Sequence, residues 1–220
     1  MSTTAPASTG AIPPEAYPRP TPGPSTVDAC PEGDPYLFSV DDFYRMVDLD
    51  IFPEGNRTGL WDGRIYEKPA KTLAHAVTEM KLISALYRVL PPGWFLSADN
   101  SLTIDPDRAP SPDMAAIRGK SDDYLDRRPD SADAGLVIEM ADEILRNDVG
   151  RKLAAYAGAG IPSYWVLNLK EYVIHVHSDP IPEEGRYASM ATVKPGESFP
   201  FQLDGVPVGP IAASDLLPAR

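Results

Sequence analysis

The sequence predicts an α/β domain with a central mixed β-sheet flanked by helices and additional β-hairpins. Three observations carry this. Between Leu73 and Leu90 the apolar residues recur at three- and four-residue steps, the period of a helix. From Trp94 to Met140 they gather instead into short runs of strand length. A second helical segment over 148–157 is followed by strand-like runs again, and helix, strands, helix, strand is the order a mixed sheet requires.

Each element has a local reason. Ser39 followed by Asp42 has the spacing of a capping box and starts a short helix through Phe43 and Met46. In Leu60-Trp61-Asp62-Gly63-Arg64-Ile65-Tyr66, the Asp-Gly pair marks a tight turn between two strands. The strongest helix runs from about Thr72 to Leu90, carries Leu73, Val77, Met80, Ile83, Leu86, Tyr87 and Leu90, and is stopped by Pro91-Pro92-Gly93. Strands are expected over Trp94–Ala98, Ser101–Asp105, Asp113–Arg118 and Gly135–Met140, with the polar residues 119–133 as a loop. Gly158 and Gly160 suit the C-terminal cap of the 148–157 helix. Tyr164–Leu169, Tyr172–His177 and 186–204 supply further strands, and Ala212–Leu217 a closing helical turn.

Composition narrows the function. The chain has 220 residues and a net charge of −12, enough length for one sizeable core. Residues 1–34 are rich in Pro, Ala, Ser, Thr and Gly and cannot offset their chain entropy by burial, so they read as a disordered leader before a domain over 35–220. Arg19 stands there against Glu15, Asp28, Glu32 and Asp34, which leaves most of the acidic excess in the domain. An acidic domain lacks the positive field of a general duplex-coating protein, although a nuclease can neutralise its own site with metal ions. Cys30 is the single cysteine, which excludes an intrachain disulfide. No run is long and apolar enough to span a membrane and no secretory leader is visible, so a cytoplasmic protein is expected.

The chemistry concentrates in two apolar runs, each bounded by a carboxylate: Ser111-Pro112-Asp113-Met114-Ala115-Ala116-Ile117 and Leu136-Val137-Ile138-Glu139-Met140. A carboxylate on a buried strand is costly unless a cation or hydrogen bonds compensate it. If the two strands are neighbours, Asp113 and Glu139 converge at one sheet edge. Asp148, Lys152 and Tyr156 follow at four-residue steps, on one helical face. Two carboxylates and a lysine are the minimum for holding a divalent metal against a phosphate. Each piece also has a plainer reading: Asp113 as a turn residue, Glu139 reaching solvent, Asp148 and Lys152 as an exposed pair. His75 reads singly as a core or boundary histidine. His175 and His177 alternate on one strand face and could ligate zinc, but without a third ligand a polar sheet face is the better reading.

In this order the segments resemble the Uma-two family of restriction endonucleases, over roughly Phe38 to Leu217. The motifs that carry the resemblance are the Leu60–Tyr66 turn, the His75 helix, both carboxylate strands, Asp148-Val149-Gly150-Arg151-Lys152-Leu153-Ala154-Ala155-Tyr156, and Gly158–Leu167. That family resembles the PD-(D/E)XK nucleases, which implies a restriction-endonuclease-like core. It further implies magnesium, with manganese as a substitute, bound by Asp113 and Glu139. The lysine usually found two residues after the acid is replaced here by Ala141, and Lys152 matches the family's lysine on the following helix. His75, Asp148 and Tyr156 would support these groups. The chain departs from the family pattern at Gly59, where a Glu is usual, at Arg64, and at Ala141-Asp142-Glu143-Ile144.

The resulting expectation is a metal-dependent endonuclease that hydrolyses the phosphodiester bonds of nucleic acid, DNA before RNA, with catalysis by Asp113, Glu139 and Lys152. The other reading is a nuclease-fold protein that no longer cuts and binds nucleic acid or a protein partner. Gly59 and the acidic surface favour that second reading, and the intact Asp113, Glu139 and Lys152 favour the first. A homodimer would require an exposed apolar face.

Overall fold

The computed structural model describes residues 34–52, 58–141 and 146–218, with the side chains of 146–149 left out. The proline-rich leader to residue 33, Cys30 and the Asp142-Glu143-Ile144 departure lie outside the described residues. Among the described residues no helix is long and apolar enough to cross a membrane.

Helix α1 (Val40–Asp48) starts at Ser39, whose hydroxyl accepts from the Asp42 backbone N–H while the Asp42 carboxylate returns the bond, completing the expected capping box. Strands β1 (Thr58–Trp61) and β2 (Arg64–Glu67) form a hairpin at Asp62-Gly63, with φ of 48° and 69°. Two consecutive positive φ values define the turn that an Asp-Gly pair favours. Helix α2 (Leu73–Tyr87) begins at Thr72, whose side chain accepts from the His75 N–H.

The central sheet has six strands in the order β3 (Trp94–Ala98), β4 (Met114–Arg118), β5 (Ala134–Ala141), β6 (Ser163–Asn168), β7 (Val173–Ile181) and β8 (Arg186–Val193). Only β5 and β6 run parallel. A parallel pair needs a crossover, and helix α3 (Arg146–Gly158) provides it. Gly160, at φ 73°, ends that helix: its N–H reaches the Ala157 carbonyl and the Ile161 N–H reaches that of Tyr156. A second hairpin, β9 (Ser198–Leu203) with β10 (Val206–Ala212), precedes the short helix α4 (Ala213–Leu216).

Strand alternation divides the core into two layers. Met114, Ala116, Leu136, Ile138, Trp165 and Leu167 face α2, the second hairpin and α4, where Phe199 and Phe201 close edge-on against Trp165. Ala115, Ile117, Val137, Tyr164 and Val166 face α3 and its Tyr156. The fully buried leucines at 82 and 86 anchor α2, each contributing about 2 kcal/mol.

The structure departs from the sequence pattern in three places. Ser101–Asp105 is not a strand: Leu102 and Ile104 donate to the carbonyls of Pro110 and Arg108, and Thr103 and Asp105 form isolated bridges with Asp130 and Arg108. Pro106, Pro110 and Pro112 lack the N–H groups a longer ladder needs. The strand β10 was not foreseen, because Pro207 and Pro210 break its pattern; both are tolerated in a two-stranded hairpin, with a register shift between Pro207 and Gly209. Finally, the apolar repeat of α2 does not coincide with its buried face throughout: Leu86 is buried and Ile83 and Leu90 pack against the core, but the rest of the repeat is exposed. Leu73, Val77, Met80 and Tyr87 are exposed, Leu73 by 87%, while Thr78, Leu82, Ala85 and Leu86 are buried. The inward stripe carries His75, Thr78 and Glu79 at its N-terminal end, so over the first turns the exposed residues are the more apolar ones.

His175 and His177 have partners within the sheet. His175 Nδ1 meets Thr192 Oγ1 at 3.1 Å. The His177 ring packs 5.8 Å from both Tyr164 and Tyr187. Burial, then the charge of His175, pulls the His177 pKa from 6.5 to about 4. Its folded form therefore holds fewer protons than the unfolded chain between these values, and its stabilising effect, full above 6.5, fades as pH falls through that window. Urea midpoints are expected to drop between about pH 7 and about pH 5, and His177→Phe should flatten the drop. An equal drop in the variant would rule out His177 as its source.

Candidate active site

The antiparallel pairing of β4 with β5 places the start of one strand beside the end of the other, which is where the two carboxylates stand. Asp113 is 2% exposed and Glu139 7%. Asp113 Oδ2 accepts the Met140 N–H at 2.7 Å, tying the first carboxylate to the backbone next to the second. Both lie in a cleft of about 1420 Å3 whose wall includes His75, Asp99, Ser111 and Tyr164.

Glu139 is held from α3. Lys152 Nζ lies 2.8 Å from its Oε2, and the Tyr156 hydroxyl donates to its Oε1 at 2.9 Å. The i, i+4 spacing brings both groups to one face of the helix. Burial disfavours the charged Lys152, yet Glu139 outweighs it and raises the pKa of the ammonium. Tyr156 is raised well above its ordinary value, by burial first and then by Glu139, so it remains a hydroxyl donor. Asp148 lies on the same helix, with its side chain outside the described part.

Asp113 is held from the other side. Its Oδ1 receives Lys68 Nζ at 2.7 Å, and His75 Nε2 stands 3.4 Å away. Burial pushes the Asp113 pKa up, but His75 and Lys68 together bring it well below the usual carboxylate range. Desolvation pulls His75 down, and Asp113 more than reverses this. Lys68 also donates to Asp99 Oδ1 at 2.8 Å, and Lys71 joins Asp99 to Glu79, which it reaches at 2.6 Å. Asp99 follows β3 in a left-handed conformation, φ 54°, and its carboxylate meets both lysines.

The structure thus brings Asp113, Glu139, Lys152, Tyr156 and His75 into one constellation. Lys68, Lys71, Asp99 and Glu79 were not foreseen. The available signal was the pair of lysines in Lys68-Pro69-Ala70-Lys71, close together in an acid-rich chain. The Gly59 departure also has a physical counterpart. A Cβ there would lie 2.5 Å from Tyr66 Oη, so the cross-strand tyrosine fills the space a side chain would need. That hydroxyl accepts the Ser111 N–H at 3.2 Å, beside the Asp113 segment.

A hard divalent cation takes oxygen ligands and keeps several waters, so two neighbouring carboxylates are a suitable donor set. Asp113 and Glu139 fit it: Asp113 Oδ1 faces Lys68 and His75, and the Glu139 oxygens face Lys152 and Tyr156, side-chain groups rather than backbone. The acidic excess of the chain does not extend to this cleft: Arg64, Lys68, Lys71, Arg151 and Lys152 balance Asp62, Glu79, Asp99, Asp113 and Glu139 along its wall. A polyanion therefore meets no net repulsion there.

The mixed six-strand sheet thus carries the paired carboxylates at adjacent strand ends. The chain belongs to the Uma2 family, described as "Putative restriction endonuclease", whose family model matches residues 40–207. No curated protein matches it. Among solved structures it is similar to a nuclease of the DUF820 group from Anabaena variabilis, itself described as putative, with a TM-score of 0.59 and 16% identity over 83% of this chain and 97% of that one. That likeness supports the fold.

Proposed function

We propose that this chain is a metal-dependent endonuclease that hydrolyses phosphodiester bonds, DNA being the first substrate to test. The observation that carries the reading is the seating of Asp113 and Glu139 at adjacent strand ends in one cleft, with Lys152 held on Glu139. Asp113 and Glu139 would hold magnesium or manganese, which when bound neutralises phosphate charge and acidifies a water. The chain's own groups do the rest. Lys152, kept protonated by Glu139, supplies a fixed positive charge for the phosphate and is not a general base. Tyr156 orients Glu139 through a short hydrogen bond, and His75 steadies Asp113.

The test is incubation of the purified protein with plasmid, linear duplex, single-stranded DNA and RNA, with magnesium or manganese and with a chelator. Cleavage that the chelator stops is the expected result. The side-chain space at Gly59, filled by Tyr66, favours a second reading, a nuclease-fold protein that binds nucleic acid without cutting. Retention of oligonucleotide with no cleavage in any metal would establish that reading and overturn the first.

A further inference from the structure

We infer that Lys68 is a tethered cation that competes with the metal for Asp113, so that metal entry requires its ammonium to move off that carboxylate and onto Asp99. The inference rests on the metal-dependent reading above.

Asp113 has one oxygen committed to the backbone, Oδ2 on the Met140 N–H. The other, Oδ1, is where an incoming cation would bind, and Lys68 Nζ is already on it at 2.7 Å. The side chains of Lys68 and Asp113 are only 16% and 3% exposed, so water screens this pair poorly. A divalent ion and an ammonium on the same carboxylate oxygen would repel one another strongly at such low exposure. Lys68 has somewhere to go. Asp99 Oδ1, 2.8 Å from the same nitrogen, keeps it paired when Asp113 is given up. Lys71, bridging Asp99 and Glu79, limits how far that carboxylate can follow.

Lys68 and Asp99 therefore act on metal affinity with opposite signs. The ammonium weakens it by occupying Asp113, and Asp99 strengthens it by receiving the displaced ammonium. Neither effect follows if Lys68 only stabilises the fold.

The experiment is calorimetric titration of the full chain with manganese alone, for the wild type, Lys68→Met, Asp99→Asn and the double variant. Lys68→Met is expected to bind manganese roughly tenfold more tightly, about 1.4 kcal/mol. Asp99→Asn should bind it more weakly, and the double variant should match Lys68→Met. Thermal melts add a second readout: without metal Lys68→Met should melt lower than wild type, and manganese should raise its midpoint more. Manganese binding in Lys68→Met alone, with none in the wild type, would also support the inference. Unchanged or weaker binding in Lys68→Met, beside a wild type that binds, overturns the inference and leaves the nuclease reading standing. No binding in either protein overturns both. If Lys68→Met does not fold, Asp99→Asn decides, and unchanged or tighter binding there overturns the inference.

Discussion

Asp113→Ala is expected to remove manganese binding and to lower metal-dependent cleavage by about a thousandfold or more, since a bound metal supplies several kcal/mol of transition-state stabilisation. It should also destabilise the metal-free protein. Removing one partner of a buried ion pair costs about 3–5 kcal/mol when the other charge is stranded. The lower end applies here, because Lys68 keeps Asp99. Asp113→Asn separates the two effects: its amide oxygen can still accept the Met140 N–H while the charge is gone. Calorimetry with manganese, plasmid cleavage and urea unfolding check these outcomes. Cleavage at the wild-type rate by folded Asp113→Ala would exclude Asp113 as a ligand.

The second large effect is at Lys152. Lys152→Ala should lower the cleavage rate by about 100- to 1000-fold, the usual loss when one preorganised charge stabiliser is removed. Metal binding should persist, since Glu139 keeps its Tyr156 hydrogen bond and loses a competing cation. Single-turnover cleavage with saturating metal measures the first effect and manganese calorimetry the second. Lys152→Arg should recover only part of the rate, because a planar guanidinium does not reproduce a compact ammonium. If Lys152→Ala instead loses metal binding with the rate at saturation unchanged, the lysine serves to hold Glu139 and not to stabilise charge.

These two predictions concern residues that are legible in the sequence. Asp113 and Glu139 stand out because each bounds an apolar run, where an unpaired charge is costly. Lys152 and Tyr156 stand out because a helix repeats its face every three to four residues. The groups that compensate Asp113 are different in kind. Lys68 leaves the first hairpin, Asp99 closes β3, and His75 rides the inward face of α2. They meet across sequence separations of 31 and 45 residues for the Lys68 pairs, and no periodicity reports such contacts. The same site accounts for the exposed apolar residues at the start of α2. His75, Thr78 and Glu79 occupy its inward stripe near the cleft, so Leu73, Val77 and Met80 supply the stronger apolar pattern although they are exposed.

What the sequence by itself determined is mostly local: the capping box at Ser39, the Asp62-Gly63 turn, the Thr72 start of α2, the Gly160 stop of α3, and the strands beside the two carboxylates. These depend on backbone dihedrals and on hydrogen bonds between residues a few positions apart. Only the tertiary structure decided which cations face which carboxylates, that Tyr66 fills the space beside Gly59, and that Lys68 rests on Asp113. Those outcomes depend on strand order and helix phase, and burial then makes each charge choose a partner brought to it from far along the chain.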